Sequence, residues 1–248
     1  MATYPDLRDC TILITGGANG IGAAMVRAFV DQGAHVAFCD IDTAAGTQLA
    51  SELGGKATFH RVDLRNEAQI ASWVAAVRKR LGPMHVLVNN AAADPRIPLN
   101  KMTAAQWDDL FARNIRAYFL TAREVSPWMP EGSSIINFSS ITFTTGPADM
   151  SAYVTTKAGT IGFTRSLARE LGPRRIRVNT ISPGWIMTER QLKQYVTPKV
   201  KRLIRSSQCV PDLNQPAEIA EVALFLASNA SSAITGQEIL ADRGWAHS

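Results

Sequence analysis

Residues 11–22 read Thr11-Ile-Leu-Ile-Thr-Gly-Gly-Ala-Asn-Gly-Ile-Gly22: a short β-branched run, a glycine loop, and the start of a helical pattern over 21–32. Apolar runs of this length bounded by glycine read as buried strands. The glycines let the chain turn sharply and bring its backbone close to a pyrophosphate, with the helix N-terminus aimed at the charge. Gly16, Asn19, Gly20, Ile21 and Gly22 are the expected contacts. No Gly-Lys-Ser/Thr sequence follows, so the stretch is not a Walker loop. A purely structural turn would use the same glycines, and the decision falls to what surrounds them.

The unit recurs along the chain. Strand-like runs follow at 35–39, 57–62, 84–89, 134–138, 176–181 and 237–240, with helical patterns near 43–53, 66–81, 103–128, 151–171 and 216–228. Runs that are apolar throughout belong to strands covered on both faces, and the helices between them make the sheet parallel. Right-handed crossovers then give an α/β doubly wound fold, a single domain over 1–248. Gly33, Gly54, Gly82-Pro83 and Gly172-Pro173 mark helix ends. Residues 184–214 break the rhythm with two helix-like pieces interrupted by Pro198 and Pro211. An insertion at the carboxyl end of a strand is either a substrate cover or a plain structural excursion.

Composition narrows the function classes. Hydrophobic residues make up 46% and charged residues 19% of 248, which excludes a disordered chain. The net charge of +5 invites a nucleic-acid reading, but the basic residues are scattered. Their densest groups, Arg78-Lys79-Arg80 and Arg174-Arg175-Arg177, fall where helices should end and complement the helix dipole. No nucleic-acid partner is expected. Cys10, Cys39 and Cys209 have no metal or redox spacing, and His35, His60, His85 and His247 share none, so no metal is expected. Cys10 and Cys39 read as buried thiols. No run reaches the roughly 18 apolar residues of a membrane span, and residues 1–7 lack the features of a signal peptide. A cytoplasmic protein with no membrane partner is expected.

Eighteen residues past Gly22 the second strand ends at Asp40. A carboxylate there binds both ribose hydroxyls of an adenosine and repels a 2′-phosphate, and Asn19 offers no positive charge to welcome one. NAD is therefore expected over NADP; a solvated strand-end aspartate beside Asp42 is the competing reading. Asp63 similarly ends the third strand, in position for an adenine amino group. Downstream, Ser151-Ala-Tyr153-Val-Thr-Thr-Lys157 sets a phenol and an ammonium one helical turn apart. The ammonium's field favours the phenolate, so a group with an ordinary pKa of about 10 can act as a base near neutral pH. Ser139 and Ser140 precede Tyr153 by fourteen and thirteen residues.

With TGGANGIG (15–22), Asn89-Asn90-Ala91-Ala92, Asn114, Phe138-Ser139-Ser140, Tyr153-x-x-x-Lys157 and Pro183-Gly184 in order, the chain resembles the short-chain dehydrogenase/reductase family over its whole length. The resemblance implies a Rossmann fold with a seven-stranded parallel sheet, a nicotinamide cofactor and a homotetramer. It also implies cofactor contacts from Ile41, Leu64, Asn90, Ala91, Pro183 and Gly184. The family usually has glycine at the position of Ala92, a departure that bears on how closely the backbone can approach there. Residues 1–7, Asp94 and Arg96, 134–141, 183–191, 207–209 and the ending at Trp245 are similar to bacterial aldose 1-dehydrogenases, which oxidise galactose, arabinose or xylose.

The chemistry so implied removes a hydroxyl proton while hydride leaves the same carbon for nicotinamide C4. Tyr153 as phenolate takes the proton. Each unit by which its pKa falls requires about 1.4 kcal/mol of anion stabilisation, from Lys157 and the positive nicotinamide ring. Lys157 also holds the nicotinamide ribose, and Ser140 orients the reacting oxygen. Ser139 is the rival for that role, and the family register favours Ser140. Asn114 is expected to bend the 103–128 helix and hold a relay water, with an ordinary helix amide as the competing reading. The Ile186 main chain is expected at the carboxamide, and the Thr188 hydroxyl at the carboxamide or the pyrophosphate. For a sugar, Trp185 is the expected platform and Asp94, Gln191 and Gln208 the hydroxyl partners, with surface packing or capping as the alternative for each. The resulting expectation is NAD-dependent oxidation of an aldose to a lactone. Its alternatives are a dehydrogenase of another secondary alcohol (a sugar acid or polyol) and a non-catalytic NAD-binding regulator, which would have no use for Ser140, Tyr153 and Lys157 together.

Overall fold

In the computed structural model, which describes residues 2–246, all seven strands lie parallel in one sheet. They are β1 (Thr11–Thr15), β2 (His35–Asp40), β3 (Ala57–Arg61), β4 (Val86–Asn89), β5 (Ser134–Phe138), β6 (Arg177–Pro183) and β7 (Glu238–Ala241). The order is β3-β2-β1-β4-β5-β6-β7. The chain therefore winds outward from β1 to β3 and returns to set β4 on the other side of β1. Crossovers diverge at that reversal, leaving a crevice at the carboxyl ends of β1 and β4.

The helices are α1 (Gly20–Asp31), α2 (Thr43–Leu53), α3 (Glu67–Leu81), α4 (Ala104–Phe111), α5 (Ala117–Val125), α6 (Thr142–Thr145), α7 (Ser151–Leu171), α8 (Glu189–Gln194), α9 (Pro198–Ser206) and α10 (Pro216–Ala227). Met25 and Phe29 of α1 and Leu224 of α10 pack with Ile12 and Ile14 on one sheet face. Trp73 of α3, Val125 of α5 and Leu171 of α7 pack with Leu13 on the other. Both faces are covered, so successive residues of β1 are all buried although they point in opposite directions.

The expected strands and helices are present, with instructive differences. The helical pattern over 103–128 is broken by a π-helical turn at Ala112–Arg116, between α4 and α5. Its centre, Asn114, is 1% exposed and bonds backbone outside the helix, which gives the widened turn a cause. Pro198 does not interrupt a helix but opens α9, where its missing N–H costs nothing, and Thr197 caps the turn by accepting from Val200 N at 3.2 Å. Helix α6 was not expected, because a run of threonines carries no apolar period. Cys39 is buried as expected, whereas Cys10 precedes β1 and is only half-buried. His85 Nδ1 accepts from Thr11 N at 3.0 Å, a structural role, and His247 lies outside the described residues.

Candidate active site

A cavity of about 870 Å³ opens at the carboxyl edge of the sheet. It is lined by Gly16, Asn19, Gly20, Ile21 and Gly22, by Asp40 and Ile41, by Asp63 and Leu64, and by Asn90 and Ala91. Pro183, Gly184, Ile186 and Thr188 line it too, as do Ser140, Tyr153 and Lys157. Residues far apart in sequence meet here because every strand of a parallel sheet ends on the same edge.

The glycine loop is fixed by contacts that only glycine permits. Gly16 has φ +65°, and a Cβ there would stand 2.8 Å from the Ala91 Cα. A Cβ on Gly22 would collide with the Gly16 carbonyl oxygen. Asn90 braces the loop from β4, donating from Nδ2 to the carbonyls of Thr15 at 3.1 Å and Gly16 at 2.9 Å. Ala92 has no positive φ, so its departure from the family's glycine introduces no backbone strain.

Asp40 points into the loop: Oδ2 accepts from Ala18 N at 3.1 Å, and Oδ1 from Ile41 N at 2.7 Å and Asp42 N at 3.1 Å. Asn19 donates to Asp42 at 3.0 Å. Asp63 differs from expectation, because its carboxylate is gripped by Arg65 through Nε at 3.0 and 3.1 Å and Nη2 at 2.6 Å. Arg65 N adds a bond at 3.0 Å, and together these hold Asp63 down at about 2. With its acceptor sites taken, Asp63 meets an adenine amine only if Arg65 moves.

At the catalytic end, Ser139 donates to the Lys157 carbonyl at 2.8 Å and is thereby committed to bracing α7. Ser140 accepts from Thr142 N at 3.2 Å and shares a hydrogen bond with Tyr153, which separates the two serines by geometry. Lys157 Nζ donates to the Phe138 carbonyl at 2.7 Å and lies 5.5 Å from the centre of the Tyr153 ring. Burial lowers Lys157 to about 7, with Asp94 opposing the fall. Burial raises the Tyr153 phenol, Asp94 raises it further, and Ser140 and Arg190 pull it back. The protein's own groups thus move the phenol the opposite way from the expected lowering, because desolvation and Asp94 outweigh Ser140 and Arg190.

Asn114 is not on the cavity wall. Its Oδ1 accepts from Ala93 N at 2.8 Å, and Nδ2 donates to Ala93 O at 3.0 Å and Thr156 Oγ1 at 3.1 Å. Both amide hydrogens are used, so the side chain clamps the loop after β4 against α7.

On the substrate side, Asp94 reaches across the cavity mouth to an ion pair with Arg190 of α8. Trp185 stacks on Trp245 with ring centres 6.5 Å apart and donates from Nε1 to Gln191 Oε1 at 3.0 Å. Arg96 lies over Trp185 and, at 4.5 Å, over Tyr195. Thr188 caps α8 by accepting from Gln191 N at 3.3 Å, and its methyl group faces Gly20. Gln208 does not join the site: its Nε2 donates to Asp212 O at 2.9 Å, inside the folded base of the 184–214 segment. Arg65, Arg190 and Trp245 line the cavity without having been singled out as site residues. Arg190 and Trp245 fall in stretches similar to the aldose dehydrogenases, but only the tertiary fold shows that all three line the cavity.

Comparison with known proteins agrees with this geometry. The family model described as enoyl-(acyl carrier protein) reductase matches residues 16–246. A probable galactose dehydrogenase of Rhizobium meliloti is 42% identical over 97% of this chain and 96% of its own. A D-xylose 1-dehydrogenase of Caulobacter vibrioides is 41% identical over 98% of each chain. A blue fluorescent protein from a metagenomic library, solved with NADPH, superposes with a TM-score of 0.90 at 32% identity, covering 97% of this chain and 99% of that one. With motifs, sheet order and full-length similarity in agreement, the chain belongs to the short-chain dehydrogenase/reductase family, oxidoreductases that use a nicotinamide cofactor on CH–OH donors.

Proposed function

We propose that the protein oxidises the anomeric hydroxyl of a cyclic aldose to a lactone, with NAD as the acceptor. The observation that carries the reading is the convergence of Ser140, Tyr153 and Lys157 in one cavity that Asp94, Arg190 and Trp185 also line. Its support on the substrate side is the full-length similarity to galactose and D-xylose dehydrogenases. Asp40 supports NAD: a carboxylate at the end of β2 repels a 2′-phosphate and can accept from ribose hydroxyls. The glycine loop and the N-terminus of α1 suit the pyrophosphate, and Lys157 the nicotinamide ribose.

In this reading Ser140 holds the reacting oxygen and Tyr153 accepts its proton. A nicotinamide held by Lys157 and the glycine loop would supply the hydride acceptor, and its oxidised form a positive charge that would oppose the burial raising Tyr153. Asn114 fixes the floor beneath through Ala93, and any relay water belongs to its surroundings rather than to its amide hydrogens. The 184–214 segment covers the sugar, pinned to the far wall by Asp94–Arg190. A homotetramer accompanies this reading, to be checked by sedimentation.

The deciding experiment is a panel of pentoses and hexoses assayed with NAD and with NADP. NADH formation with at least one aldose, with the lactone as product, is expected. Absence of turnover with every aldose removes the substrate reading, and equal rates with NADP remove the role given to Asp40.

A further inference from the structure

Behind Lys157 stands a residue outside every motif considered above. Tyr118 lies on α5, one turn beyond Asn114, and is 1% exposed. Its hydroxyl donates to the Phe138 carbonyl at 3.2 Å and accepts from Lys157 Nζ at 3.3 Å. Nζ is 5.3 Å from the centre of the Tyr118 ring and 5.5 Å from that of Tyr153. The ammonium is therefore flanked by two phenols, of which only Tyr153 lines the cavity.

An ammonium carries three N–H donors. Two are committed to the interior, at Phe138 O and Tyr118 Oη, with the Tyr153 ring centred 5.5 Å from Nζ for the third. We propose that Tyr118 is a positioning residue for Lys157, anchoring one N–H in the interior so that the remaining donor faces Tyr153 and the cofactor's ribose. The proposal rests on Tyr153 and Lys157 acting as base and activator.

The charge balance around Nζ supports it. Burial disfavours the ammonium, and a neutral acceptor favours it without adding a second charge to the interior. The groups that face Lys157 are Tyr153 on its own helix, Tyr118 on α5, and Asp94 on the loop after β4. Arg190 on α8 stands beyond, paired with Asp94. Of these, Asp94 favours the charged form, and only Tyr118 accepts a hydrogen bond from Nζ.

Tyr118→Phe keeps the ring and removes the acceptor. Losing a bond made to the charged form lowers the pKa of Lys157, so its proton is lost at lower pH. The alkaline limb of kcat/KM should move down by about one pH unit, and turnover near pH 8 should fall about 3- to 10-fold. Melting temperature should change little. Galactose and xylose with NAD are the substrates for the profile. An alkaline limb that stays in place overturns the proposal, whether or not the variant melts earlier, because a purely structural tyrosine alters stability alone. NMR titration of lysine-labelled protein reads Lys157 without any substrate: a lower pKa in Tyr118→Phe supports the proposal and an unchanged one overturns it. That readout holds even if no aldose is oxidised, so failure of the sugar reading and failure of this inference are separable.

Discussion

Along β1, β2 and β4 the cavity wall is mostly main chain: the glycine loop, the backbone amides around Asp40, and the carbonyls that Asn90 holds. Along the 184–214 segment it is side chain: Trp185 on Trp245, Asp94 on Arg190, Arg96 over Tyr195. The first wall suits a ligand that never changes, because backbone donors are set by the fold. The second suits a ligand whose hydroxyl pattern varies, because side chains can be exchanged without disturbing the sheet. Tyr153 and Lys157 stand at the seam and serve both.

Substitutions on each wall can break or sharpen this contrast. The largest effect belongs to the seam: Tyr153→Phe should lower kcat by about 10²- to 10⁴-fold while leaving NAD affinity within about 2-fold, measured by steady-state kinetics and cofactor titration. On the main-chain wall, Gly22→Ala drives a methyl group into the Gly16 carbonyl and should weaken cofactor binding by about 10-fold or more. Calorimetry should find the loss whichever sugar is used; a cofactor Kd unchanged by that methyl group would mean the loop is not the cradle. Asp40→Ser removes the charge that opposes a 2′-phosphate, and the NADP/NAD ratio of kcat/KM should rise at least about 10-fold.

On the side-chain wall, Arg190→Gln leaves Asp94 unpaired. Asp94 raises the Tyr153 pKa and Arg190 lowers it, so the variant's phenol holds its proton to higher pH. The acid limb of the oxidation profile should move up, with KM for the sugar raised about 3-fold or more and cofactor Kd unchanged. An acid limb that does not move would detach this wall from the base. The smallest effect is a control away from both walls. Thr103→Ala removes the capping box of α4, should cost about 1 kcal/mol and lower the melting temperature by about 2–4 °C, and should leave both cofactor and sugar kinetics alone.

The contrast also governs how much could be read in the chain before its structure. The strands, the glycine loop, Asp40 and the Tyr153–Lys157 spacing are local, each set by a few neighbouring residues, and each lies where the sequence puts it. Ser139 and Ser140 are adjacent and chemically identical, so only the fold separates the one that braces α7 from the one that meets Tyr153. Gln208 reads as a sugar ligand by its place in the inserted segment, yet folds back onto Asp212. Asp63 reads as a free carboxylate, yet Arg65, two residues on, closes over it.

What the sequence by itself determined is the order of strands and helices, the glycine loop, and the spacing of the groups proposed to handle proton and hydride, because these depend on periodicity, glycine geometry and short spacings. What only the tertiary structure decided is which way each site group leans. Burial raises Tyr153 and lowers Lys157, Tyr118 reaches Nζ from another helix, and Arg190 crosses the cavity to Asp94. Desolvation and charge pairing are set by neighbours in space, and across this sheet those neighbours are 39 residues apart for Tyr118 and Lys157 and 96 for Asp94 and Arg190.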